Sequence, residues 1–464
     1  MSFKMSKLLL IPKLVWAVGC GWLVRQRRRL SGAQPRIWHG MSPLHMTRYL
    51  VQADRIAGFP SRSVVHHSRQ ANYALVRDDD FNVVIQRPGV PWDEVHWRCL
   101  IDLARHGDIW VAYFDCLFFP TARRQVNTWV FRLLRIVGIR IIVAPHGGDV
   151  NHRDRFIDRY DVISRMQRDY PDWDLVAQQA VAKARIELFC RYAAVVIGAD
   201  SFVRRNLPRT DLVFKYFPMD CDALQPSARE VINSEPVVVH APNHRLLKGT
   251  DHLLEAIERL QSSDILCRLE LLERIPREEA LQRYRAGDIF ADQFCCGAFG
   301  AFAIEALALG KPVLTYLDQE HLRDPVFNLP IVNTTPENLV AVLAVLLQIP
   351  TLRKRIGEAG RVAVERYQSV PALAEVWDRI YRHVWWDEPL NLETTRHFSP
   401  ERKARSFTED PSRADFWPVP VDDLLPEIQA ALARVRCADV MQPVASPQEE
   451  SAFDAVLQNV RQVG

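Results

Sequence analysis

Between residues 35 and 386 the sequence repeats one figure: a short run of β-branched and aromatic residues, then a longer stretch with apolar residues at helical spacing. Each helix in such a series has to cross over a sheet before the next strand begins, so the strands pair in parallel. The expected fold class is α/β, with two Rossmann-like doubly wound domains and a cleft between them. Strands are expected at 36–39, 64–66, 82–86, 108–114, 140–144, 195–198 and 212–216, with helices over 44–57, 123–137 and 175–192 among them. A second set has strands at 237–240, 268–272, 288–292, 313–317 and 331–332, and helices over 250–261, 278–285, 301–309, 337–347 and 351–367. All periodicity stops around Pro226, Asn233 and Pro236, which sets the boundary. The expected organisation is a basic apolar segment 1–34, a first domain 35–224, a linker 225–236, a second domain 237–370, a closing helix 371–386 and an acidic, proline-rich extended tail 387–464. Short helical patches are expected in that tail near 424–435 and 453–460.

At roughly 150 residues per domain, 464 residues accommodate this plan. With 48% hydrophobic and 25% charged residues, wholesale disorder and fibrous architectures are excluded. Nine cysteines, an odd number with no C-x-x-C pair, fit neither a disulfide framework nor a structural zinc site, and point to a reducing cytosol. The net charge of +3 conceals an asymmetry: residues 1–36 hold eight bases and no acid, whereas 387–464 hold fourteen acids against eight bases. The body between them is close to neutral, so nothing in it calls for a nucleic-acid partner and none is expected.

Two segments carry chemistry. The first, H-A-P-N-H-R-L-L-K-G from His240 to Gly249, leaves a buried strand and enters a helix for which Thr250 is the expected N-cap. A helix start favours an anion, and Arg245 and Lys248 would add two charges suited to a diphosphate; the alternative is a pair of solvated loop cations. The second segment runs strand, glycine turn, helix from Ala286 to Val313. Gly297 and Gly300 allow the backbone to approach a ligand. Glu305, in the early turns of the helix that follows, could accept hydrogen bonds from vicinal ribose hydroxyls or be an ordinary exposed glutamate.

These residues resemble the GT-B-fold retaining glycosyltransferases of the family-4 type. The pattern F-G-x-x-x-x-E-A-x-A-x-G-x-P-V stands from Phe299 to Val313, and A-P-x-x-R-x-x-K-G-T from Ala241 to Thr250. The resemblance implies a nucleotide-sugar-binding second domain in which Arg245 and Lys248 neutralise the diphosphate and Glu305 holds the ribose. Base recognition near Glu273 to Ile275 is expected to be by main chain. Where many members carry a further glutamate eight residues earlier, this chain has Gly297, so contact with the sugar falls to Asp292, Gln293 or the backbone from Gly297 through Phe299 to Gly300. In the first domain, the H-G-G-D run from His146 to Asp149 resembles the loop whose histidine faces the donor sugar, with Asp149 orienting it. Gly40, after the first strand, resembles the loop that approaches donor and acceptor.

The resemblance thus implies a hexosyltransferase that moves a sugar with retention from a nucleoside diphosphate sugar to a hydroxyl acceptor, a glycan or glycolipid, in surface polysaccharide or glycolipid synthesis. Its catalytic residues are expected to be His146, Arg245 and Lys248, with no cofactor and no metal. The alternatives are a non-catalytic sugar-nucleotide-binding or assembly protein and another GT-B enzyme such as a nucleotide-sugar epimerase. The D-x-D within Asp78, Asp79 and Asp80 reads as a solvated turn, His66 and His67 as strand-end features, and Cys295 with Cys296 as small packing residues. Residues 8–24 are apolar apart from Lys13 and are followed by Arg25 and Arg27 to Arg29. That pattern is expected to lie on the cytoplasmic face of a membrane and meet anionic lipid, the alternatives being a buried or disordered leader and a short signal-anchor helix.

Overall fold

The computed structural model describes residues 2–42, 44, 46–65, 83–84, 92–119, 127–147, 149–150, 159–161, 164–165, 168, 175–226, 235–403, 405 and 408–435. The Asp78 to Asp80 run, His66, His67 and the 453–460 patch lie outside the described residues. The first half contains α1 (Ser2–Leu30), β1 (Ile37–Met41), α2 (Met46–Ile56), β2 (Ser61–Val65), β3 (Val83–Val84), α3 (Trp92–His106) and β4 (Ile109–Tyr113). It continues through α4 (Thr128–Ile136), β5 (Arg140–Ala144), α5 (Leu175–Tyr192), β6 (Val195–Gly198), α6 (Ser201–Arg204) and β7 (Leu212–Val213). These strands form one sheet in the order β3-β2-β1-β4-β5-β6-β7, every pair parallel. Because helices cover both faces, β4 and β1 are buried along their whole length, as parallel strands must be.

The second sheet, in the order β12-β11-β10-β8-β9, is also all parallel. Its elements are β8 (Val237–His240), α7 (Arg245–Lys248), α8 (Thr250–Gln261), β9 (Arg268–Leu271), α9 (Arg277–Tyr284), β10 (Ile289–Ala291), α10 (Ala301–Ala308), β11 (Val313–Thr315), α11 (Gln319–Arg323) and β12 (Val332–Asn333). Helices α12 (Leu339–Gln348) and α13 (Pro350–Tyr367) complete that layer. The next helix, α14 (Val370–Trp386), leaves the second sheet and buries Leu373, Val376, Trp377 and Ile380 against Ile37, Ile109 and Ile142 of the first. The outgoing and returning chains run side by side, with Met219 donating its N–H to the Gln368 carbonyl at 2.9 Å and Val370 donating to Met219 at 3.1 Å.

One expectation fails here. Over its described residues, which end at Val435, the tail is not extended: Phe416, Trp417, Val421 and Ile428, the last on α15 (Leu425–Arg434), are buried against α12 in the core of the second layer. The many prolines break periodicity without preventing burial. The N-terminal segment is also folded: α1 lies along α3 with Leu10, Leu14, Ala17, Gly21 and Arg25 inward at helical spacing. Gly21 is required there, since a Cβ would stand 1.9 Å from the Ala104 carbonyl oxygen. Buried Arg25 donates to the carbonyls of Val137, Ala104 and Gly107 at 2.8, 3.0 and 2.9 Å, and burial lowers its pKa to about 10. Among the described residues no helix is long and apolar enough to cross a membrane.

Candidate active site

Each sheet has one point where consecutive strands diverge to opposite sides: β1 and β4 in the first, β8 and β10 in the second. Beyond the carboxyl ends of strands at such a point the connecting loops part and leave a crevice. The sequence motifs converge on both.

At the first, Ser42 follows β1 and Asp115 lies two residues beyond β4; the Ser42 hydroxyl donates to the Asp115 carboxylate at 2.7 Å. The other Asp115 oxygen meets His146 Nε2 at 3.2 Å, from the loop after β5. Asp149 fixes that loop: its carboxylate accepts N–H bonds from His146 and Gly147 at 3.0 Å and from Phe114 at 3.1 Å. Arg185 donates to the Asp149 carbonyl. Burial disfavours a charged imidazole, but the carboxylates of Asp149 and Asp115 and the Asp115 hydrogen bond prevail, and the His146 pKa rises to about 9. Burial acts against the Asp115 carboxylate too, yet His146 holds its pKa well below the usual range. Asp115, His146 and Asp149 present ligand atoms within 4.8 Å of one another. With both Asp149 oxygens committed to backbone N–H groups and Arg185 alongside, the group is a hydrogen-bonded ion pair and does not fit a cation. Gly40 does not line this crevice as a loop residue. It lies inside β1, where a Cβ would overlap the Trp38 ring and the Val64 carbonyl.

At the second point, His240 ends β8. Its Nδ1 donates to the Ala291 carbonyl at 2.7 Å and its Nε2 accepts the Thr250 hydroxyl at 2.8 Å; burial lowers its pKa to about 4, so it is neutral. Thr250 is therefore not the N-cap. Gly249, left-handed at φ +74°, precedes the helix instead, and the Thr250 hydroxyl turns inward. Lys248 is half-enclosed and pairs with Asp292 at 2.7 Å, while the second Asp292 oxygen accepts the Gly300 N–H at 2.9 Å. A carboxylate of the chain itself thus occupies the start of α10 and neutralises the lysine. Gln293 is buried and spent on its own loop, donating to the Ala298 carbonyl. Gly297, at φ +67°, makes the turn whose carbonyl accepts from Asp318 at 2.8 Å. Phe299 is buried with Lys215 Nζ 4.7 Å above its ring. Arg245 is apart from this cluster, exposed and paired with Glu273 at 2.5 Å.

Glu305 is buried, not an exposed helix glutamate; it pairs with Arg277 at 2.7 Å. Tyr49 of α2, in the first half, lies close enough to Arg277 to interact with it electrostatically. Arg204 of the first half pairs with Glu320 of the second at 2.9 Å, and within the first half Lys215 pairs with Asp200 at 2.7 Å. Sequence reasoning missed Ser42, Asp115 and Arg277. Asp115 had a usable signal, as an acid just past the carboxyl end of a buried strand; Arg277, in an exposed-looking charged helix, had none.

No known protein-family profile matches the chain, and no curated protein matches it by sequence. Solved structures do resemble it. Sucrose-phosphate synthase from Thermosynechococcus elongatus superposes with a TM-score of 0.51 at 15% identity, covering 76% of this chain and 100% of that one. The catalytic domain of starch synthase IV from Arabidopsis thaliana, bound to ADP and acarbose, gives 0.48 at 11% identity over 76% of this chain and 100% of its own. Anabaena HepE in complex with UDP and glucose gives 0.46 at 15% identity, over 74% and 97%. The fold is that of the GT-B glycosyltransferases: two parallel sheets flanked by helices, with the last long helix returned to the first.

Proposed function

We propose that this protein is a retaining glycosyltransferase that moves a sugar from a nucleoside diphosphate sugar to a hydroxyl acceptor, a glycan or glycolipid, in surface polysaccharide or glycolipid synthesis. Residues 35–224 form the acceptor-side domain and 237–370 the nucleotide-sugar domain, joined by 225–236. The observation that carries this reading is the pairing of two strand-divergence clusters, His146 with Asp115 in one sheet and Lys248 beside the start of α10 in the other. Breaking the anomeric C–O bond leaves negative charge on the β-phosphate, which Lys248 and the first N–H groups of α10 would stabilise once Asp292 yields to the phosphate. Protonated at neutral pH, His146 serves as a hydrogen-bond donor to the sugar or leaving phosphate, not as a base. Asp115, Asp149, Asp292 and Glu305 are all engaged by cations or N–H groups. With none free as a nucleophile, attack on the departing face, the acceptor proton passing to the phosphate oxygen, accounts for retention. Glu305 binds ribose after exchanging Arg277, and Arg245 meets the outer part of the nucleotide.

The test is nucleoside diphosphate release from UDP-, GDP- and ADP-glucose. One donor should turn over, and Lys248→Ala should slow it by one to two orders of magnitude, since charge-assisted bonds are worth about 1.5–3 kcal/mol. The Asp292 carboxylate at the anion position favours a second reading, a sugar-nucleotide-binding protein without turnover; binding with no release from any donor would select it. The reading extends to a lipid surface. Ile11, Val15, Trp16, Trp22 and Leu23 are exposed on α1, as are Lys13 and Arg27. Such a face suits anionic lipid, at about 1 kcal/mol per basic residue. Cosedimentation with phosphatidylglycerol vesicles should fall when Trp16 and Trp22 are both changed to alanine.

A further inference from the structure

Where the 387–435 arm folds over the second layer it borders an open cavity of about 470 Å³, within the usual range for small-molecule sites. The cavity belongs neither to the cleft nor to its machinery. Asn328 to Pro330, which line it, lead into the amino end of β12, whereas Asp292 and His240 lie at the carboxyl ends of their strands. Two arginines of the arm, Arg402 and Arg405, line it with Tyr367 and Trp417. Arg402 is buried, its guanidinium 4.2 Å above the Tyr367 ring. It donates to the carbonyls of His397 and Asn328 at 2.9 and 3.0 Å, and its Nε is buried with no acceptor. Arg405 donates to the carbonyls of Ile331 and Phe416 at 2.6 and 3.3 Å.

Neither guanidinium has a carboxylate within ion-pair distance among the described residues, whereas the acids on the cavity wall are already paired, Glu401 with Arg366 and Asp415 with Arg413. Burial lowers the pKa of each arginine to about 10, which leaves both charged at neutral pH. Arg402 is buried and Arg405 half-buried, and carbonyl oxygens are their hydrogen-bond partners, with Asp324 acting on Arg402 from beyond ion-pair distance; such charges are costly unless a counter-ion joins them. An anion in the cavity would meet both along its wall, and the planar guanidinium fork matches the oxygens of a phosphoryl group. A phosphomonoester carries nearly two charges at neutral pH, and the cavity has room for a sugar ring attached to it.

We propose that this cavity is a binding site for a phosphomonoester of sugar-phosphate size, separate from the cleft and formed jointly by the arm and the second domain.

The test is calorimetric titration of the full chain with glucose 6-phosphate and with inorganic phosphate. Glucose 6-phosphate should bind at one site per chain and inorganic phosphate should compete for it. Arg405→Met should abolish this binding but could also loosen the arm, so the decisive variants are at Val419, a partly exposed wall residue. Val419→Glu should weaken glucose 6-phosphate about tenfold and Val419→Lys should tighten it, with UDP affinity unchanged in both; tenfold is the scale of one added charge near a bound anion. Absence of heat at millimolar phosphate, citrate binding without a phosphate response, or phosphate binding indifferent to both Val419 variants would each overturn the assignment.

Discussion

His146 and Asp115 define a charge relation that can be tested one residue at a time. The folded His146 pKa of about 9 lies above the ordinary value of about 6.5. The pair therefore contributes stability that is fully present between the ordinary carboxylate range and about pH 6.5, is lost as pH rises through about 9, and is lost again in acid as Asp115 takes up its proton. Asp115→Asn should lower the His146 pKa by about one unit or more, since one neighbouring carboxylate is removed. An NMR titration of the His146 ring reads this directly; an unmoved midpoint would mean that Asp149 alone holds the proton. Asp292 permits the opposite kind of test. Because its carboxylate neutralises Lys248 and caps α10, Asp292→Asn should tighten UDP binding, about tenfold on the scale of one charge-assisted contact, whereas Lys248→Ala should weaken it. Equal UDP affinity in both variants by calorimetry would remove the second cluster from the phosphate site.

Helix α1 shows how one element acquires a structural role from a sequence that reads as a peripheral membrane anchor. Its inward stripe ends in Arg25, which takes three carbonyl oxygens where α3 and α4 end. Arg25→Met should lower unfolding free energy by several kcal/mol, because hydrogen bonds to a charged group are worth about 1.5–3 kcal/mol each and the carbonyls are left unpaired. Urea denaturation measures it. A change under 1 kcal/mol, the size of an ordinary surface substitution, would place α1 outside the cooperative unit. Helix α8 carries the same lesson at smaller scale. Thr250 has the chemistry of an N-cap, but His240 offers its hydroxyl a buried acceptor, and Gly249 takes the left-handed position that ends α7.

At the scale of the whole molecule, two segments tie the layers together: α14 crosses back to the first sheet, and the arm to Arg434 covers α12. Ending the chain at Trp386 would uncover Leu346, Leu347 and their neighbours as a continuous apolar surface. Such a surface drives association, so the truncated chain should melt at lower temperature and run as oligomers on size exclusion. A monomer with the full-length melting point would contradict this account of the arm.

The sequence by itself determined the local order of the chain. The strands at 140–144, 195–198 and 237–240 and the helices at 175–192 and 250–261 stand where periodicity puts them. They were legible because β-branched runs and helical spacing are local properties, set by backbone sterics and side-chain burial within a dozen residues. The segments carrying His146, Lys248 and Gly300 were legible for the same reason. Only the tertiary structure decided which strands are neighbours. The order that brings β1 beside β4 joins Ser42 to Asp115 across 73 residues, and that of β8 and β10 joins Lys248 to Asp292 across 44. It alone decided that Glu305 meets Arg277, that the helix start holds a carboxylate of the chain itself, and that the arm as far as Val435 is packed. Each of these depends on contacts between residues distant in sequence, which no local pattern records.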